Sequence, residues 1–359
     1  MKILVNALSG IGDALMFSPA LALLKKHLPH SQIELVVMFP AVRDIYAANP
    51  DLNEIHFIDF LSQPKIKSLK EVFALRKNRY DVSINAYPSN RKEYNIINFL
   101  IGAKKRIATR YNNYSKSNFD FLNTQLANET KDRHNVLQNY DLVKLVDNKL
   151  NENEIGNLVL NLGARHNKFF DQFVIDNNHT GIKFAGFHAG SATFKRHVNK
   201  RWAAEKFAEL ANKLNKQYGM KSILFGTEVE LNDAIYSLSS DSSILLPKMS
   251  ILKSLALMKH CKLFVSNDAA LMHLAAALQI PTVAIFGYTN YNELRPWMNK
   301  HIVVRKDLEC SPCFFNSPKP VQCIYSGEEE FKCIKTISVE EVFEACEKLI
   351  EEIPGDVEA

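Results

Sequence analysis

The chain has 359 residues, 47% hydrophobic and 23% charged, which suits two soluble domains of ordinary size. A formal net charge of +5 is too mild for a nucleic-acid binder and fits acidic small molecules or an anionic membrane surface. No apolar run approaches the ~20 residues of a spanning helix. The opening segment carries Asp13 mid-run and lacks the basic start and cleavage pattern of a signal peptide, so a cytoplasmic protein is expected.

Lys2–Asn6 reads as a strand, Asp13–His27 as a helix with Pro19 near its first turns, and Ile33–Met38 as the next strand. In the loop Ser9-Gly10-Ile11-Gly12-Asp13 the glycines let backbone approach a ligand. The third glycine of a dinucleotide fingerprint is missing, and an acid stands where a pyrophosphate would lie. A carboxylate at such a strand end suits a general base, with helix capping as the alternative. Asp81–Ala86 and Lys105–Ala108 are further strands. Lys65–Tyr80 and the cluster Lys104, Lys105, Arg106 and Arg110 concentrate positive charge as solvated faces or as a membrane contact. Residues 111–180 are polar and Asn-rich around an amphipathic helix at His134–Leu145, as expected where one domain ends and the chain crosses to another.

The pattern restarts with Ile182–His188, Ala203–Tyr218, Ser222–Phe225, Ile251–Lys259 and Cys261–Val265. The loop Phe187–Phe207 offers Gly190, Ser191 and Thr193 beside Lys195, Arg196, Lys200 and Arg201, a set suited to phosphates or to a merely solvated basic loop. In "SNDAALMHLAAALQIPTVAIFG", strand Leu263–Val265 leads through Asn267 or Asp268, as N-cap, into a helix Ala269–Leu278 and a strand Thr282–Phe286. Ligands of open α/β sheets bind outside the carboxyl ends of strands, beside helix N-termini. The alternative is that Asp268 only caps the helix and His273 is a core histidine. The alternation predicts an α/β fold of two Rossmann-like, doubly wound parallel-sheet domains facing a central cleft. Their expected bounds are 1–170 and 180–335, with a last helix at 338–353 packing back on the first domain.

Cys310, Cys313, Cys323 and Cys333 read C-x2-C-x9-C-x9-C in a loop rich in Pro and Gly. Four cysteines so close together in a cytoplasmic chain fit a tetrahedral thiolate site for zinc or iron, or reduced loop thiols. Cys261 and Cys346 read as buried apolar thiols.

Motifs along nearly the whole chain carry a resemblance: "MKILVNALSGIGDALMFSPAL", "KRW" at 200–202, "LFGTEVE" at 224–230, "PKMS" at 247–250 and "SNDAALMHLAAAL…VAIFGYT". In this order and spacing the chain resembles glycosyltransferase family nine, the lipopolysaccharide heptosyltransferases of GT-B fold. The resemblance implies an inverting transfer of heptose from ADP-heptose to a lipopolysaccharide core sugar, without a catalytic cofactor. It implies an acceptor domain first, a donor domain second, a glycolipid acceptor, and peripheral contact with the cytoplasmic face of the inner membrane. Asp13 matches the catalytic base, and Gly12 lies beside it. Lys200 matches the lysine on the donor phosphates, with Ser191 and Thr193 near the phosphate-contacting hydroxyls. Glu230 matches the acid that holds the ribose, Met249 the methionine beside adenine, and Asp268 the aspartate on the sugar. His273 matches a family histidine.

Ala269 and Ala270 replace the usual Thr/Ser-Gly pair, leaving backbone N–H groups and the helix dipole for the diphosphate. That departure keeps open a non-catalytic nucleotide-sugar-binding module, against which Asp13 and Lys200 speak. The cysteine pattern is similar to that of metal-bearing members that modify autotransporter proteins, so a protein hydroxyl is the alternative acceptor.

Overall fold

Short buried runs rich in Ile, Val and Leu form the strands, as expected where a parallel sheet is covered on both faces. The computed structural model describes residues 1–113, 117–314 and 319–352. It divides into two units, Met1–Asn161 in the first and the described residues from Leu162 on in the second.

In the first unit, β1 (Lys2–Ala7), β2 (Gln32–Val37), β3 (Glu54–Phe57), β4 (Val82–Asn85), β5 (Lys105–Arg110) and β6 (Gln125–Asn128) form one sheet of order 3-2-1-4-5-6. All its pairings are parallel. In the second, β7 (Lys183–His188), β8 (Met220–Leu224), β9 (Ser243–Leu245), β10 (Leu263–Asn267), β11 (Thr282–Phe286) and β12 (His301–Arg305) repeat that order, with β7 and β10 as the central pair. Both sheets therefore reverse direction at one place, between β1 and β4 and between β7 and β10. Crevices for ligands form at such points.

The expected helix Asp13–His27 is two helices, Ile11–Leu15 and Ser18–His27. Pro19 occupies the start of the second, where its missing N–H is tolerated but cannot continue a preceding helix. The polar stretch 111–180 contains β6 and the helices Asn135–Lys144 and Ala164–Asp176. The latter helix belongs to the second unit, where it packs on the helix Ile251–Met258 and Phe170 stacks on His260 at 3.6 Å.

Behind β1 and β4 the first unit buries amides instead of aliphatic side chains. Asn6 donates to Asn85 and Asn98, Asn85 to Asn95, and Asn98 to Asn123. Each such group pairs with another because an unmet buried amide costs roughly 1–3 kcal/mol.

The last helix, Val339–Glu351, opens with a capping box between Ser338 and Glu341. The expectation that it braces the first domain is corrected. Val339, Val342, Ala345, Cys346 and Leu349 form its buried stripe and join the core of the second unit. They lie against the helix Ala204–Tyr218 and β10 to β12. Residue 353 of the expected helix lies outside the described residues. Trp202 links this helix to the sheet: it is fully buried, and its indole N–H donates to Ile337 O at 2.9 Å. Trp202→Ala removes that bond and leaves a cavity, so urea unfolding should show a loss of about 3–5 kcal/mol. A loss below about 1 kcal/mol, the level of an exposed site, would contradict this role.

Candidate active site

The carboxyl ends of the second sheet carry most of the expected site residues. Asn267 ends β10, where its side chain is locked by donating to Ala189 O at 2.7 Å and accepting from Trp202 N at 3.0 Å. This fixes the loop after β7 against β10 and sets Lys200, two residues before Trp202, beside Asp268. Lys200 Nζ donates to Asp268 Oδ2 at 2.6 Å, and Thr289 Oγ1 donates to the same oxygen at 2.7 Å. Neither Asn267 nor Asp268 caps the helix: its N-cap is Ala269, without a side-chain bond, and the helix runs Ala270–Ala277. Burial opposes the charge on Asp268, but the Lys200 ammonium and the bonds from Lys200 and Thr289 hold its carboxyl below the usual range.

Around this pair the histidines are neutral near pH 7. Burial, helped by Lys200 and opposed by Asp268, pushes His273 down to about 4. Its Nδ1 is buried without a hydrogen-bond partner. His197 is pushed down to about 3 by burial and Lys200, and its Nδ1 lies 3.0 Å from the Tyr288 hydroxyl. His188, at the end of β7, is held at about 4 by burial.

Ser191 is buried, donates to His197 O at 2.8 Å and accepts from Arg201 Nε at 3.1 Å. Thr193 is exposed at the start of the turn Phe194–Lys200, in which Lys195 and Arg196 take φ of 55° and 61°. Glu230 is exposed in the first turn of the helix Val229–Ser239 that follows β8. Met249 is half-buried in the connection after β9. Ser191, Glu230, Met249, Asp268, Ala269, Ala270 and His273 thus follow four neighbouring strands on one edge of one sheet.

Sequence reasoning missed Thr289, Asn267 as a lock, and Glu228. The Glu228 carboxylate lies over Gly190 and Gly226, where an added Cβ would come within 2.2 Å and 2.7 Å of it. It stands 3.8 Å from Arg201 and 3.9 Å from His188. The two glycines in sequence were the available signal, since each marks a place where something approaches the backbone.

Asp13 and Gly12 lie in the first unit, in the helix Ile11–Leu15 directly after β1. Gly10 is the N-cap, so Asp13 is not one. The open space beside Gly10 leaves this strand end accessible. Asp13 is near Tyr94, whose phenol is pushed up by burial and by the Asp13 charge, against that of Arg91.

The four cysteines converge in the second unit. Cys310, Cys313, Cys323 and Cys333 line one cavity of about 10 Å³ with Tyr288 and Phe331, room for about one atom. Burial first, then the neighbouring thiols, push Cys333 up to about 11 and raise Cys313. The sulfurs do not close to 4.8 Å as a set. Among the described residues, the group of metal-ligating atoms at that spacing is Glu34, Glu54 and His56. There the Lys2 ammonium, 3.2 Å from Glu34, already supplies the positive charge. Among the described residues no helix is long and apolar enough to cross a membrane.

The chain matches glycosyltransferase family 9 (heptosyltransferase) over residues 69–323. It belongs to that family. A relative along its length is lipooligosaccharide heptosyltransferase 2 of Campylobacter jejuni, 26% identical over 359 residues that cover 98% of each chain. Among solved structures, a family 9 glycosyltransferase from Veillonella parvula superposes with a TM-score of 0.77 at 21% identity, covering 98% of this chain and 97% of its own. The ADP-heptose lipopolysaccharide heptosyltransferase II of Escherichia coli gives 0.73 at 21% identity, covering 98% and 99%. The two doubly wound sheets are the GT-B arrangement, and the protein is a glycosyltransferase of the heptosyltransferase family.

The buried neutral histidines give the family member a pH signature. An unfolded histidine takes its proton below about 6.5, whereas folded His273 and His188 do so only near 4. The unfolded state binds more protons in between, so stability is full above about 6.5 and falls as pH drops toward 4. His273→Gln, which cannot titrate, should flatten the decline of Tm with pH in that window. A variant curve parallel to the wild-type curve would remove His273 from the acid response.

Proposed function

We propose that the chain transfers heptose from ADP-heptose to a sugar of the lipopolysaccharide core, with inversion at the anomeric carbon. The observation that carries the reading is the buried Lys200–Asp268–Thr289 cluster at the switch point of the second sheet, beside the N-terminus of the helix Ala270–Ala277. An ammonium and free N–H groups there suit the diphosphate of a nucleotide sugar. The aspartate between them suits the sugar hydroxyls. Met249 would lie by the adenine and Glu230 by the ribose, with Ser191 and Thr193 towards the phosphates. His273 would stay neutral under the donor.

In a single displacement, Asp13 takes the proton of the acceptor hydroxyl. That oxygen bonds to the anomeric carbon, the bond from that carbon to the diphosphate oxygen breaks, and ADP leaves with the electron pair. Lys200 and the helix N-terminus offset the charge that develops on the leaving diphosphate, so the step requires no catalytic cofactor. The printed names of relatives covering the whole chain support a lipooligosaccharide acceptor. Such an acceptor would place the protein on the cytoplasmic face of the inner membrane, in peripheral contact through its basic first unit. For the four thiols we propose a structural zinc or iron. All four line one cavity of single-atom size, and thiolates suit either metal.

If the donor carries adenine, ADP should raise Tm more than UDP or GDP at equal concentration, by linkage. Equal or larger shifts with UDP would exclude the ADP assignment. Asp13→Asn keeps shape but cannot accept the proton. It should lower kcat by ~10²–10⁴-fold, the usual worth of a general base, while ADP affinity stays near wild type. Turnover within a few-fold of wild type would mean that Asp13 is not the base.

A further inference from the structure

The stretch between β12 and the helix Lys332–Lys335 contains little regular structure among its described residues: a turn at Gly327–Glu329 and a single bridge from Phe314 to Thr289. Loops of this length without a framework of their own are uncommon in compact domains unless they serve a function. This one is bonded to both loops of the donor cluster. On the β11 side, Ser311 Oγ donates to Gly287 O at 3.0 Å, and the amides of Cys313 and Phe314 donate to Tyr288 O at 3.0 and 3.2 Å. Gly287 is pressed so close that an added Cβ would sit 3.5 Å from Cys333 Sγ.

On the β7 side, Val321 N donates to Lys195 O at 3.2 Å and Arg196 pairs with Glu330 at 3.0 Å. These contacts hold the two residues with left-handed backbone, which cost about 1–3 kcal/mol each unless the surroundings fix them. The loops meet where Tyr288 bonds His197, and the next residue, Thr289, bonds Asp268. The cysteine segment is therefore the shared support of Lys200's loop and of Thr289. Its four sulfurs surround the one cavity within it, and Phe331 N already donates to Cys323 Sγ at 3.3 Å.

We infer that a single thiophilic metal ion held by Cys310, Cys313, Cys323 and Cys333 sets the donor loops, so that its occupancy controls donor affinity. The inference rests on the reading of these thiols as a metal site and adds what that site does. The ion draws four sulfurs from separate turns onto one centre, and the turns carry Tyr288 and the strained Lys195–Arg196 backbone with them. Without it, the loops sample other arrangements and a smaller fraction of molecules is competent for the donor. Tyr288 and Thr289 are positioning residues in this scheme.

The test uses the full chain purified under reducing, chelator-free conditions, with zinc and iron counted by elemental analysis and ADP binding followed by calorimetry. Wild type and Cys346→Ala should carry about one ion per chain, as four thiolates around one centre require. Cys313→Ser should lose the ion and bind ADP about tenfold more weakly, as when a tenth of the molecules is competent. Should Cys313→Ser fold poorly, wild type stripped of metal and then titrated with zinc serves instead, and its ADP affinity should return with the zinc. Coupling is reciprocal, so ADP must tighten metal binding by the same factor. Cobalt substitution reads this through the visible bands of a tetrahedral thiolate site. Protein that holds no metal in any preparation and gives no cobalt–thiolate spectrum overturns the metal reading and this inference with it. Protein that holds its ion but binds ADP equally well with and without it overturns the coupling alone.

Discussion

The Lys200–Asp268 ion pair is the contact on which the donor side of this protein depends. Both side chains are largely buried, so each would be costly alone; removing one partner of such a pair typically costs about 3–5 kcal/mol. A buried ion pair adds little net stability compared with apolar residues, which makes it a poor choice for holding a fold together. It is a good choice for a site that exchanges one anionic partner for another. An ammonium already desolvated and aimed can be offered to a diphosphate without reorganising the surroundings, and the carboxylate released from it is then available to hydroxyl groups.

The surroundings of the pair serve to keep it rigid. Asn267 uses its acceptor for Trp202 N and its donor for Ala189 O, tying three chain segments with one side chain. Thr289 supplies a further bond to the aspartate from the next strand end. The neutral histidines add polar surface without adding positive charge that would compete with Lys200. The terminal helix closes the apolar core behind this arrangement through Trp202 and Ile337.

The two sheets share one strand order but differ in what they bury. The second is backed by aromatic and aliphatic side chains such as Phe187, Trp202 and Phe207. The first carries a chain of asparagine amides behind β1 and β4, close to the strand end that leads to Asp13. Amide networks accept only one set of geometries, because each donor needs its acceptor in low dielectric. This gives the loop after β1 a fixed base while the space beside Gly10 stays open.

The sequence by itself determined the alternation of strands and helices, because side-chain periodicity and turn residues act locally. It also determined which loops follow which strands, and so the edge on which Ser191, Glu230, Met249 and Asp268 must stand. It could not show that Asp268 leaves the helix uncapped, since that depends on a lysine 68 positions away in the chain. Nor could it show that the last helix belongs to the second unit, because an amphipathic stripe says that a face is buried but not against what. The helix break before Pro19 was legible in principle from the missing N–H. The gathering of four cysteines around one cavity was suggested by their spacing, but only the folded loop brings Cys333 to the other three. Pair partners, packing faces and cavity closure are set by contacts between distant segments, and those exist only once the chain has folded.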